Sequence, residues 1–135
     1  MAHELINPKS LGAPHGYSNG LIVDAGCRLL FIAGQVGWNE QQEIVSHDFV
    51  EQFDLALTNV VAVVSEAGGE PADICRLIIY VTDRDEYTSR TREVGERYRK
   101  HMGKHFPAML LIEVKGLLED FAKVEIEGVA ALKSL

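Results

Sequence analysis

Cysteine is scarce in this chain of 135 residues, with only Cys27 and Cys75, and neither belongs to a CxxC pair. Redox and zinc chemistry therefore have little to build on. No apolar run approaches the roughly 20 residues that span a bilayer. Met1 to Ser10 is short and polar with no apolar h-region, so no signal peptide is expected. The compartment is read as the cytoplasm, with reduced thiols. Cations are the minority charge: 13 Lys and Arg stand against 20 Asp and Glu, for a formal net charge of −7. Phosphate contacts need clustered cations, so neither a nucleic acid nor a membrane is expected as partner. One segment is crowded with Arg90, Arg92, Arg97, Arg99 and Lys100, and its helical spacing predicts a solvated face. His101 and His105 have the i,i+4 spacing of a metal pair. Gly103 lies between them and no carboxylate or cysteine completes a set, so neither metal nor other cofactor is expected. Gly12, Gly16 and Gly20 do not lead from a strand into a helix and make no dinucleotide loop.

What is present is an ordinary globular composition, 47% apolar and 24% charged, with no internal repeat, low-complexity tract or linker. Residues 1–135 read as one domain. Leu21–Val23 and Leu29–Ala33 read as short strands, with a hairpin turn at Asp24–Arg28. Asp48 caps a first helix, with Glu51 as capping-box partner. Phe49, Phe53, Leu57, Val60, Val61 and Val64 form its apolar stripe, and Gly68-Gly69 stops it. Arg76–Val81 is rich in β-branched and aromatic residues and predicts a strand. A second helix is expected from about Glu86 to Met102, capped by Asp83 or Asp85, with Tyr87, Val94, Tyr98 and Met102 inward. Ala108–Val114 and Lys123–Ala131 complete the set as strands.

The order β-β-α-β-α-β-β predicts an α+β fold with two helices packed on one face of a mixed sheet. Ile78 and Tyr80 point to one face, and Leu77, Ile79 and Val81 to the other. Met109-Leu110-Leu111-Ile112 is apolar on both faces as well. Two helices cover one face only, so the other is expected to be hidden by self-association.

Four stretches then carry a resemblance. They are Gly16-Tyr17-Ser18-Asn19-Gly20, Phe31-Ile32-Ala33-Gly34-Gln35, the first-helix pattern from Glu51-Gln52 to Ala67-Gly68, and Phe106-Pro107-Ala108 followed by Val124-Glu125-Ile126-Glu127. In this order and spacing the chain resembles the Rid family. These are the reactive-intermediate (enamine/imine) deaminases, also called YjgF-like proteins, some of which carry the older label of endoribonuclease L-PSP. The resemblance implies a chorismate-mutase-like fold and a homotrimer with clefts at the subunit boundaries. It also implies hydrolysis of 2-imino or 2-enamino acids to 2-keto acids and ammonium. Glu125 aligns with the family glutamate that positions the attacking water and is the expected catalytic residue. Tyr17, Gln35, Trp38, Ala108, Met109 and Leu111 are expected to line the substrate site. Gln35 is expected to brace the backbone there rather than react, and Ser18 to make a turn hydrogen bond.

One position departs from the pattern. The resemblance implies an arginine after Pro-Ala that clamps the substrate carboxylate, and this chain has Met109 there. A guanidinium offers a bidentate, charge-assisted fork, whereas a thioether offers soft apolar contact. The pocket is therefore expected to be less positive and more apolar, with Trp38 as a flat wall. Packing roles for Met109 and Trp38, and a replacement cation from Arg28, Arg90 or a neighbouring subunit, remain open at this stage. The leading expectation is a deaminase-like hydrolase of a reactive imine or enamine with altered substrate. The alternative is a non-catalytic small-molecule-binding or regulatory trimer.

Overall fold

A computed structural model describes residues 3–135. Two sheets form. β1 (Glu4–Ile6) and β2 (Gly20–Ile22) pair antiparallel as a small outer sheet. The main sheet contains β3 (Arg28–Val36), β4 (Ile74–Val81), β5 (Ala108–Glu113) and β6 (Val124–Leu132), in the order β3-β6-β4-β5. β6 is antiparallel to both its neighbours, and β4 and β5 run parallel. The sheet is mixed, as expected, but the predicted hairpin between β2 and β3 is not made. The Asp24–Arg28 turn links two sheets instead, and β2 takes β1 as its partner. All three β1 residues are exposed, so the segment carries no buried alternation that would mark it as a strand.

α1 (Phe49–Glu66) begins where the cap pattern places it, with the Asp48 carboxylate accepting from the Glu51 N–H. The reciprocal bond is absent: the Glu51 carboxylate accepts from the Ser46 hydroxyl instead. Phe49, Phe53, Leu57, Val60 and Val64 are buried along one stripe. They pack with Leu77, Ile79, Ile126 and Ala130 from the sheet. Each such side chain contributes roughly 1.5–3 kcal/mol when fully buried. Gly68 ends the helix at φ +86, a left-handed conformation that favours glycine.

The single helix expected from Glu86 to Met102 is two: α2 (Arg84–Thr88), capped by Asp83, and α3 (Thr91–Met102). Arg90 sits at the break with non-helical backbone, φ −133 and ψ 32. Its guanidinium pairs with both Asp48 and Glu93, which anchors the break against the start of α1. Val94, Tyr98 and Met102 are buried as the stripe requires. Among the described residues no helix is long and apolar enough to cross a membrane.

The basic segment is solvated at Arg92, Arg99 and Lys100, as its spacing predicts, while Arg90 and Arg97 are half-buried. Asp54, buried on α1, gathers three side chains from α3: Arg97 and Lys100 at 2.7 Å and His101 at 2.5 Å. His101 is thereby turned to Asp54, while His105 Nε2 contacts the Ile74 carbonyl. The far sheet face is left bare, with Phe31 74%, Leu29 54% and Leu110 52% exposed.

Burial pushes the Asp54 carboxyl up, but hydrogen bonds from Lys100, His101 and Arg97 outweigh it and hold the group down at about 2, against an ordinary 3.8. A depressed carboxyl contributes stability that is complete above its unfolded value and is lost as pH falls through the folded one. Asp54→Asn is expected to lower the unfolding free energy by about 2 kcal/mol at pH 7. Urea melts at stepped pH should show the difference closing between pH 3.8 and about 2.

Candidate active site

Three cavities hold the residues singled out by the sequence. The first lies on the bare sheet face. Glu125 and Glu127, two apart on β6, both point there, and Tyr80 on β4 stands directly opposite Glu125 in the ladder. With Gly34 and the Val114–Leu118 connection they line a cavity of about 330 Å³, within the size range of small-molecule sites. The Tyr80 hydroxyl donates to Glu127. Glu125 is half-buried and accepts no hydrogen bond from any described residue. Burial, then the charges of Glu127 and Glu119, push its carboxyl above the usual range. That environment suits a carboxylate that orients water and moves protons.

Gly34 makes the placement possible. A Cβ there would lie 2.0 Å from Glu125 Oε2, so the carboxylate rests on bare backbone. The register explains how. Between Ile32↔Gly128 and Gln35↔Ile126, β3 takes three steps where β6 takes two. This bulge reverses the alternation of β3. Ala33 and Gly34 fall on the Glu125 side, and Gln35 is carried to the helical side. A glycine inside a strand pattern is a signal for such a bulge, and it was present in the sequence at Gly34.

Gln35 and Trp38 line the second cavity, about 560 Å³, with Leu55, Asn59 and Ala62 of α1. Gln35 Nε2 donates to the Ala33 carbonyl at 3.3 Å. The Asn59 amide donates to the carbonyls of Val36 and Trp38, so the backbone on either side of Gly37 is held to α1.

Met109 lies in the third cavity, about 430 Å³, between α3 and β5, with Tyr87, Val94, Tyr98, Phe106 and Ile79 among its walls. Met109 and Leu111 face the helices and pack on the core, while Leu110 and Ile112 face away. Ser18 fixes the rim. It is buried, bridges to Ala108, and its hydroxyl donates to the Phe106 carbonyl at 2.6 Å. Tyr17, 38% exposed, is thereby held at the start of β5. Neither cation weighed as a replacement joins this group: Arg28 donates to the Lys133 carbonyl, and Arg90 pairs with Asp48 and Glu93. Within the chain, then, Tyr17, Ala108, Met109 and Leu111 share one region. Gln35 and Trp38 share another, and Glu125 stands on the opposite sheet face.

Comparison with known proteins bears on the whole chain. The family profile described as Endoribonuclease L-PSP matches residues 8–132. The chain belongs to the Rid/YjgF family. A RutC family protein of Pyrococcus abyssi is 30% identical over 132 residues, covering 96% of this chain and 98% of the relative. YyfB of Yersinia pestis, a crystal structure from the Rid family, is 31% identical with a TM-score of 0.86, covering 98% of this chain and 100% of its own. TdcF of Escherichia coli, named provisionally as a reactive intermediate deaminase, has been crystallised with bound serine. It is 30% identical with a TM-score of 0.68, covering 89% of this chain and 91% of its own. The chorismate-mutase-like expectation for the fold holds across these Rid structures.

Two variants test the Glu125 environment. Glu127→Gln removes a like charge and should lower the Glu125 titration midpoint, followed by carboxyl ¹³C resonances; an unmoved midpoint would show that the neighbouring charge has no part in the shift. Gly34→Ala should displace the Glu125 carboxylate and change its titration while leaving the fold's circular dichroism intact.

Proposed function

We propose that this Rid-family protein hydrolyses imines or enamines of apolar acids, as a homotrimer whose clefts form where copies meet. The reading is carried by Glu125: a half-buried carboxylate with a raised proton affinity, bare of protein donors and open to a small cavity. In its ionised form it takes a proton from water as the water oxygen attacks the imine carbon. The proton passes to nitrogen and gives a carbinolamine; Glu125 then relays the hydroxyl proton to the same nitrogen, the C–N bond breaks, and ammonia leaves as the carbonyl forms. The family membership and the deaminase name given to TdcF support the same chemistry.

Assembly supplies what one copy lacks. Glu125 faces the bare side of the sheet and Met109 the helical side, so a cleft containing both draws on two chains. The exposed Phe31, Leu29, Leu110 and Ile112 give association its apolar surface. Met109 in place of the expected arginine makes the cleft more apolar, with Tyr17 as a further wall and Trp38 brought in from the neighbouring copy, and shifts selectivity from small imino acids to larger ones.

Imines generated in situ from leucine or phenylalanine should be hydrolysed faster than 2-iminopropanoate. Glu125→Gln should lower kcat by roughly 10²–10⁴-fold. Retention of full turnover in that variant removes Glu125 from the mechanism. Binding without turnover of any imine or enamine points to the ligand-binding alternative. Sedimentation should give a species of three 14.9 kDa chains, and Phe31→Asp should reduce it to single folded chains. A wild-type monomer at low micromolar concentration would overturn the assembly.

A further inference from the structure

Beside Met109, the cavity between α3 and β5 also contains Arg99 and Gly95. Six basic side chains lie between Arg90 and His101. Arg90 pairs with Asp48 and Glu93, Arg92 with Glu96, and Arg97, Lys100 and His101 with Asp54. These pairs use up the carboxylates that α3 presents. Among the described residues Arg99 alone of the six makes no ion pair or hydrogen bond. Its guanidinium lies back across Gly95, with Nη1 3.0 Å from where a Cβ on that glycine would sit.

Gly95 is in the interior of a 12-residue helix, where glycine is the poorest residue short of proline. Its φ is not in the left-handed region, so no backbone requirement explains it. What it provides is room: an open cavity wall and a shelf across which the i+4 guanidinium of the exposed Arg99 lies at the cavity mouth. The floor beneath is apolar and aromatic, from Met109, Val94, Tyr98 and Phe106, the last two rings stacked at 5.4 Å. An unpaired guanidinium over an aromatic-walled pocket recognises a carboxylate joined to an apolar body.

We infer that Arg99, seated on Gly95, binds the carboxylate of an apolar or aromatic acid in the cavity beside Met109. The cation absent from β5 is thus supplied by α3, at a different angle and above a larger floor. This deepens the functional reading above by naming the substrate's acid group and its apolar body, but its test needs no turnover.

The probes are 3-phenylpropanoate, its neutral analogue 3-phenylpropanamide, and acetate, titrated into the wild-type protein by calorimetry and by ¹H–¹³C spectra of the methionine methyls. The acid is expected to bind roughly tenfold to a hundredfold more tightly than the amide and to shift the Met109 methyl. Acetate, without the apolar body, should bind weakest. Arg99→Gln, at an exposed position, should erase the preference for acid over amide while amide binding persists. Gly95→Ala should raise the melting temperature, because alanine is the better helix former, and yet weaken acid binding. A merely structural role for Gly95 would not give that opposition. Equal affinity for acid and amide, an acid preference that survives Arg99→Gln, or shifts confined to residues far from Met109 would each overturn the inference. Since no water activation is read, failure here leaves hydrolysis at Glu125 standing.

Discussion

The insertion of the last strand, β6, between β3 and β4 is the constraint on which the rest of the structure depends. Its backbone pairs on both sides, so the sheet stays in two pieces until the C-terminal residues arrive. Gly128 sits where the fit is closest, since a Cβ there would lie 2.7 Å from the Arg76 carbonyl. The helix-facing residues of β6, including Val124, Ile126, Ala130 and Leu132, are buried under α1. The alternate positions, Glu125 and Glu127, are thereby committed to the opposite face. Placement of the acidic pair follows from packing the apolar one.

Polar groups tie the layers where apolar contact alone would leave them free to slide. Gln52, 1% exposed, donates to the carbonyls of Ser46 and Phe121 and accepts from the Lys123 N–H. It joins α1 to the segment entering β6, and Gly37 gives it room, since a Cβ there would lie 2.8 Å from its Cα. Asp54 makes the corresponding tie between α1 and α3. A buried side chain satisfied on every atom adds specificity of position, since any other arrangement leaves polar groups unpaired.

Both helix-bearing segments and the main strands were legible, because their signals are local. Asp48 and Gly68 mark the ends of α1, and the stripe from Phe49 to Val64 marks its inner face. Outward parity at Ile78 and Tyr80 was readable in the same way. The partner of β2 was not readable, because β1 is short and wholly exposed. The break at Arg90 was missed because it is anchored by Asp48, forty-two residues away in sequence. Glu125 was singled out through the family pattern. Gly34, Tyr80 and Arg99 were passed over, since each matters only through a neighbour on another element.

Composition, periodicity and caps on their own determined the helical segments, the strand faces and the surplus of apolar sheet surface. Those properties belong to residues within a few positions of one another, where covalent geometry sets the spacing. Tertiary structure alone decided which strand lies centrally, where β3 bulges, and which of six basic side chains is left without a carboxylate. Each of those outcomes is a competition among groups distant in sequence for the same space or the same charge, and only the folded arrangement resolves it.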